Sequence, residues 1–554
     1  MTRNIVALLT AAVTLAAAAS FRSGSAATAE DPAPKVDRIF SKFTPATPGC
    51  AVGVGVDGAP VLARGYGMAD LEHDVAITPE TIFEAGSVSK QFTAAAVLLL
   101  ARDGRLSLDD PVRKYIPEVP DYGVPLTVRH MLNHTSGLRD WGSVEGIAGW
   151  PRTTRAYTHA HVLDIVSRQR ALNFTPGTHW SYSNTGYNLA AILVSRVSNM
   201  PFAEFTRTHV FAPAGMTHTS WRDDHTRIVK NRAIGYEEEK GVFHTDMPFE
   251  DVHGNGGLLT TVGDLLKWNE HFWSPKIGDA AFVAEEQKPV AFSSGSGHGY
   301  GLGLMIDDRR GVRQVDHSGS TAGYLAHLAR YPDQHVSVAV LCNVSNAGAT
   351  ERAYDVADLY LAEKAPLKPA PAPTYTLKAD DLARAEGLYR SNPDGRALSI
   401  ARDSGTLGLE RGPALIAQSG TRFVTENGDT FEWDRPGHLR FSNRYDIIDY
   451  ERVSAAKPTL EELRPLAGTY ANAEAETTFV VATQGDGLVM KQRPDKTIPL
   501  TPIYKDAFAA PPLGMVIFRR DGTGRVTALT VSQDRVWDMR FLRQVPEVHH
   551  KAIG

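Results

Sequence analysis

GSVSKQFTAAAVLLLARDG, Gly86 to Gly104, joins a polar opening to a long apolar run. Its alanine- and leucine-rich body predicts a helix ended by Gly104. Its polar opening sets Ser87 three residues before Lys90. Residues three apart share a helix face, so the lysine amine can sit beside the serine hydroxyl. The positive end of the helix dipole and a nearby cation disfavour an ammonium there. A neutral lysine is a base able to take the serine proton, and the Ser87 backbone N–H is placed to meet a developing oxyanion. The plainer alternative is a Ser87 N-cap with Lys90 facing solvent. Ser-x-x-Lys alone decides little, because Ser454-Ala455-Ala456-Lys457 is a second match. That one runs into Pro458 with no apolar helix behind it and reads as linker.

Downstream, THWSYSNTGYNLAAILVS places Tyr182-Ser183-Asn184 in a polar loop that enters another apolar helix. A tyrosine near a lysine can have a lowered pKa and relay protons, and an asparagine amide can hold a substrate carbonyl or the lysine. Tyr470-Ala471-Asn472 matches Tyr-x-Asn too, so a simple turn is the competing reading. RQVDHSGSTAGY carries His317-Ser318-Gly319 at the end of a strand. Glycine there lets backbone approach a substrate, the Ser320 N–H is a candidate second oxyanion donor, and His317 is a candidate to position or protonate the leaving group. A lone strand histidine is more often structural. Arg139, Asp140 and Trp141 either line the cleft or form a salt-bridged, packed loop. GNGG at Gly254 to Gly257 reads first as a tight entry to the next helix, with Thr261 as N-cap, and second as a substrate-facing loop.

The chain of 554 residues, net charge -5, has no dense Lys/Arg run, which excludes an electrostatic footprint for nucleic acid or anionic membranes. A small-molecule or peptide partner is expected. His130, His134, His253 and His271 lack ligand spacing, so no metal and no cofactor are expected; the oligomeric state stays open. At the start, Arg3, the apolar run Ile5 to Ala19 and the small-residue site Ala27-Thr28-Ala29 predict a signal peptide over 1–29 and export to the periplasm or beyond. The run falls short of the roughly 20 apolar residues that span a bilayer. Cys50 and Cys342, both in strand-like stretches, either pair or sit buried as free thiols.

Strand signals open and close the region 30–363, with helices between. This predicts an α+β domain on one mostly antiparallel sheet whose first and last strands pair. A proline-rich linker follows at 364–374. Two antiparallel β-barrels are then expected at 375–454 and 455–554, because TLKADDLARAEGLYR resembles TLEELRPLAGTY and sets Gly387 and Tyr389 against Gly468 and Tyr470.

Taken together, Ser87-x-x-Lys90, Tyr182-x-Asn184 and His317-x-Gly319 in that order resemble the serine β-lactamase and penicillin-binding-protein superfamily. The branch is that of class C β-lactamases, DD-carboxypeptidases, esterases and D-aminopeptidases. LTVRHMLNHTSGLRD, VFAPAGMTHT and GNGGLLTTVGDLLKW look like its connecting segments. The resemblance implies Ser87 as acylated nucleophile, Lys90 and Tyr182 sharing proton transfers, and Asn184 with the strand His317-Ser318-Gly319-Ser320 orienting the substrate. Typical β-lactamases have Lys-Thr-Gly where this chain has His317-Ser318-Gly319, and a mostly neutral histidine grips a carboxylate less firmly. That departure, and the two barrels, look like the D-aminopeptidase and esterase-like members. The expectation is an exported serine hydrolase cleaving amide bonds of short, D-residue-containing or otherwise unusual peptides. The alternatives are an esterase or weak β-lactamase/DD-peptidase and, from another class, a penicillin-binding sensor without turnover.

Overall fold

The computed structural model describes residues 31–544 except 151–154, 294–296, 363, 366, 370, 404 and 411. The expected signal peptide lies outside the described residues. CAVGVGV forms β1 (Cys50–Val56), and Asp57-Gly58, both at positive φ, turns it into β2 (Ala59–Tyr66) in the Asp-Gly manner that suits a twisted hairpin. The remaining strands of this sheet come from far along the chain: β3 (Met305–Arg309), β4 (Val312–Thr321), β5 (Tyr324–Tyr331) and β6 (Val336–Cys342). The order is β3-β4-β5-β6-β1-β2, antiparallel throughout, so first and last strands pair as expected. The register sets Cys50 opposite Cys342, and the two are disulfide-bonded.

Six helices matter below: α1 (Ala33–Ile39), α2 (Ser89–Arg102), α3 (Trp141–Ala148), α4 (Asn184–Ser198), α5 (Val262–His271) and α6 (Ala349–Leu361). Because side chains alternate along a strand, the sheet feeds two cores. Val52, Val54, Val338 and Val340 meet α1 and α6 on one face. Ala51, Leu328, Ala339 and Leu341 meet the helical layer on the other. In that layer α2 is buried at every position from Ser89 to Leu100, which is why its sequence is apolar on all sides.

Beyond the linker stand two closed barrels of antiparallel strands, running from Gly387–Ser391 to Ile447–Val453 and from Gly468–Asn472 to Val536–Arg543. The duplication holds at its marker residues. The Tyr389 hydroxyl donates to the Ala385 carbonyl at 2.9 Å, and the Tyr470 hydroxyl to that of Leu466 at 2.8 Å. Arg452 and Arg543, each on a closing strand, lie over those rings at 5.6 and 6.0 Å. A side chain at Gly387 or Gly468 would meet these guanidiniums at 2.8 and 3.0 Å.

The second barrel is not a loose appendage. Its apolar interior belongs to the same cluster as the helical layer. The carbonyls at the end of α3, left without intrahelical donors, receive hydrogen bonds from it. Gln492 donates to Gly146 and Ile147 at 2.9 Å, Arg493 to Ala148 at 2.6 Å, and Thr477 to Ala148 at 3.2 Å.

Candidate active site

Ser87 sits in the single 3₁₀ turn Gly86–Val88 that opens α2. Gly86 has a φ of 49°, and a Cβ there would lie 2.5 Å from the Ser320 nitrogen. Opposite, a Cβ on Gly319 would lie 2.0 Å from the Ala85 carbonyl oxygen. Paired glycines thus let β4 run directly against the serine turn. Gly319→Ala is expected to push β4 away from Ser87 and to lower kcat/KM about a hundredfold with little change in the far-UV spectrum, since displacements near 1 Å suffice for such losses.

Lys90 is fully buried, which disposes of the solvent-facing alternative. Its Nζ lies 3.1 Å from Ser87 Oγ, 3.0 Å from Asn184 Oδ1 and 2.7 Å from the Asn255 carbonyl oxygen. The last two atoms only accept, so they take two N–H groups. Toward Ser87 Oγ, at 3.1 Å, an ammonium donates and an amine accepts the serine proton. Tyr182 lines the cleft with Ser87, and its ring lies 4.7 Å from Lys90 Nζ. The lowered tyrosine pKa expected next to a lysine does not hold. Desolvation pushes the phenol up, and the Ser87 hydroxyl and the Arg535 guanidinium reverse this only in part. Tyr182 therefore holds its proton at neutral pH.

His317 is buried, and desolvation with the charge of Lys90 brings its pKa down to about 3. Its Nδ1 lies 2.6 Å from the Ser318 carbonyl oxygen, which only accepts, so the ring proton belongs on Nδ1. Nε2, 2.9 Å from the Tyr300 hydroxyl, then takes the tyrosine hydrogen. A neutral ring with both nitrogens engaged has no proton to give, so of the two roles weighed for His317 the geometry favours positioning over protonation of the leaving group. His159, His253 and His271 are likewise held down by burial, at about 3, 4 and 4. All four stay neutral in the fold and charge on unfolding below their ordinary 6.5. The unfolded chain therefore binds more protons, and stability present above pH 6.5 is lost as pH falls toward 4. Chemical unfolding should show a loss on the order of 1 kcal/mol per histidine at pH 5.5.

Asn184 opens α4, and its backbone N–H donates to Asp140 Oδ2 at 2.8 Å. The other oxygen of Asp140 caps α3 through the Ser143 N–H at 3.1 Å. Trp141 donates from its indole to Asn188 at 2.9 Å, and Arg139 donates to Glu474 of the second barrel at 2.7 Å. These three residues do not border the cleft; they hold the loop that aims Asn184. GNGG fills both roles weighed for it. Asn255, Gly256 and Gly257 line the cleft, and Thr261 accepts the Asp264 N–H at 3.2 Å as N-cap of α5.

The cleft, of about 860 Å³, brings together Ser87, Tyr182, Asn184 and the strand His317 to Thr321. It also takes in Arg535 from the second barrel. Lys90, beneath it, completes the set. The Asn255 carbonyl, Tyr300 and Arg535 escape sequence reasoning: the first is backbone, and nothing in the local pattern around the other two marks a site. Ser454-Ala455-Ala456-Lys457 is extended and largely exposed, and Tyr470 lies in a barrel strand, so both stray matches are excluded.

Relatives match this chain over different shares of its length. A D-aminopeptidase from Brucella ovis is 27% identical over 508 residues, covering 87% of this chain and 93% of its own. A penicillin-binding protein from Bacillus subtilis is 29% identical over 374 residues, covering 62% of this chain and 80% of its own. Among solved structures, an octameric penicillin-binding protein homologue from Pyrococcus abyssi superposes with a TM-score of 0.54 at 26% identity, over 75% of this chain and 99% of its own. The profile of the family described as Beta-lactamase matches residues 36–363, the span that carries the sheet, α2 and every cleft residue named above except Arg535. With more than half its length matched, the chain is a member of the β-lactamase family and, within it, a serine hydrolase.

Proposed function

We propose that the protein is an exported peptidase or amidase that acts through an acyl-enzyme on Ser87, on short peptides with D- or otherwise unusual residues. The observation that carries this reading is Lys90 Nζ, aimed at Ser87 Oγ at 3.1 Å while two obligate acceptors hold its other hydrogens. Ser87 Oγ attacks the carbonyl carbon and its proton passes to Lys90. The backbone N–H groups of Ser87 and Ser320 take the oxyanion. As the C–N bond breaks, Tyr182 gives its proton to the departing nitrogen and recovers one from Lys90. Water then attacks the ester by the reverse proton path, releasing the acid and Ser87. The last residues of β4, His317 to Thr321, pair with β5 on one side and have no partner from β3, whose register stops at Asp316. A peptide backbone can add there as a further strand.

The D-aminopeptidase relatives, matched over nearly their whole length, support the peptide class and the D preference. The apolar run Ile5 to Ala19 supports export, and no helix among the described residues is long and apolar enough to cross a membrane. The test is amine release from matched L-, D- and mixed peptides, with p-nitrophenyl esters and nitrocefin alongside and Ser87→Ala as blank. Peptide cleavage lost in Ser87→Ala is expected. Turnover of esters or nitrocefin alone would replace the peptidase reading by an esterase or β-lactamase. A single acylation without turnover would make the protein a sensor. Mass determination of the protein recovered from outside the cytoplasm checks cleavage after Ala29.

A further inference from the structure

Arg535 enters the cleft from outside the catalytic domain. It lies in the turn between the last two strands of the second barrel, Val526–Gln533 and Val536–Arg543. The turn is pinned by its backbone: the Arg535 carbonyl accepts from the Asp140 N–H at 3.2 Å and from the Asn173 amide at 3.1 Å. Ser181 donates to the Asp534 carbonyl at 3.3 Å, and the Trp537 N–H donates to Asn173 at 2.8 Å. The Asp534 carboxylate is drawn off to Arg396. This leaves the Arg535 guanidinium 4.7 Å over the Tyr182 ring, with no ion pair or hydrogen bond to any described residue.

The other charges along the cleft are differently placed. Arg222 is spent on Glu84, at 2.9 and 3.1 Å, with Glu250 3.5 Å away. On β4, where a lysine would offer a cation, His317 is neutral. A planar cation with five N–H donors and no partner, fixed beside the proposed proton donor, suits a carboxylate. We propose that Arg535 binds a carboxylate on the leaving-group side of the substrate, so that the protein favours short peptides whose departing residue ends in a free C-terminal carboxylate. The side assignment rests on the reading of Tyr182 as donor to the leaving nitrogen; the carboxylate site itself does not.

The test uses the full-length Ser87→Ala chain, which binds without turnover, and calorimetric titration with L-Ala-L-Ala, D-Ala-D-Ala and the C-terminal amides of both. Hydrogen bonds to a charged group predict that the free acid of the preferred stereoisomer binds at least about tenfold more tightly than its amide. Adding Arg535→Gln should bring that ratio near one, Arg535→Lys should keep part of it, and Arg535→Glu should invert it. Rising salt should erode the preference with Arg535 intact, a readout that needs no substitution at Arg535. An acid-to-amide ratio near one with Arg535 present, or one unchanged in Arg535→Gln, overturns the proposal. Hydrolysis by the Ser87-intact chain, run in parallel, judges the acyl-enzyme reading separately: acid preference without any amide turnover would sink that reading and leave the carboxylate site standing.

Discussion

Ser87→Ala should lower amide hydrolysis by about 10⁴ to 10⁶-fold while leaving the cleft able to bind substrate. The expectation follows from the position of the oxygen. Ser87 Oγ is 3.1 Å from Lys90 Nζ, in a cleft it shares with Tyr182, and set in a turn whose backbone abuts Ser320. The residual rate would come from a substrate held against the oxyanion donors and attacked by water. Intact-protein mass spectrometry with a slow acylating substrate gives the complementary readout: one acyl group on the unsubstituted chain and none on Ser87→Ala. Activity retained in the variant would overturn the site.

Lys90→Ala carries the second large effect. A base lost from a transition state typically costs about 10² to 10⁴-fold. Here the same change strips a donor from Asn184 Oδ1 and the Asn255 carbonyl, both buried. Leaving buried acceptors unsatisfied costs about 1–3 kcal/mol each, so the unfolding midpoint should fall with the rate. Lys90→Arg should not rescue, because a planar fork cannot take the tetrahedral directions to three acceptors. Tyr182→Phe separates the two roles: it removes the proposed donor to the leaving group but keeps the ring under Lys90 and Arg535. Rapid-mixing measurements should show Lys90→Ala slowing acylation most and Tyr182→Phe slowing both steps to different extents. Equal loss in both steps from Lys90→Ala alone would refute a shared proton path.

The second barrel bears on this chemistry through two routes. Its Gln492, Arg493 and Thr477 bind the end of α3, whose cap Asp140 holds the Asn184 N–H, and its Arg535 stands in the cleft. The cleft is therefore braced and bordered by residues more than 300 positions after Ser87.

Much of the fold and of the site is legible in the amino-acid sequence. Helix α2 is plain because a helix buried on every side must be apolar on every side, and Ser87 and Lys90 fall on one face by helical spacing alone. The pairing of β1 with β6 is expected because strand-like runs bound the region at both ends. The two barrels show in the spacing of Gly387 and Tyr389 against Gly468 and Tyr470, since each copy must satisfy the same tyrosine-over-arginine contact. What those signals share is a local cause, either a periodicity or a repeated contact.

The pKa of Tyr182 has no such cause. A neighbouring lysine argues for lowering, and only the density of protein around the ring raises it. By sequence His317 is equally able to position or to protonate a leaving group, and the engagement of its two nitrogens by the Ser318 carbonyl and Tyr300 decides for the first. Arg139, Asp140 and Trp141 are equally able, by sequence, to line a cleft or to brace it, and their partners Glu474, Asn184 and Asn188 settle the matter. The layers, the duplicated barrels and the triplet of motifs are readable from the residues alone, because each is written in periodicity or short spacing. Protonation, the Asn255 carbonyl on Lys90 and the arrival of Arg535 come from the folded arrangement. Those depend on desolvation and on contacts between segments hundreds of residues apart, which no local pattern encodes.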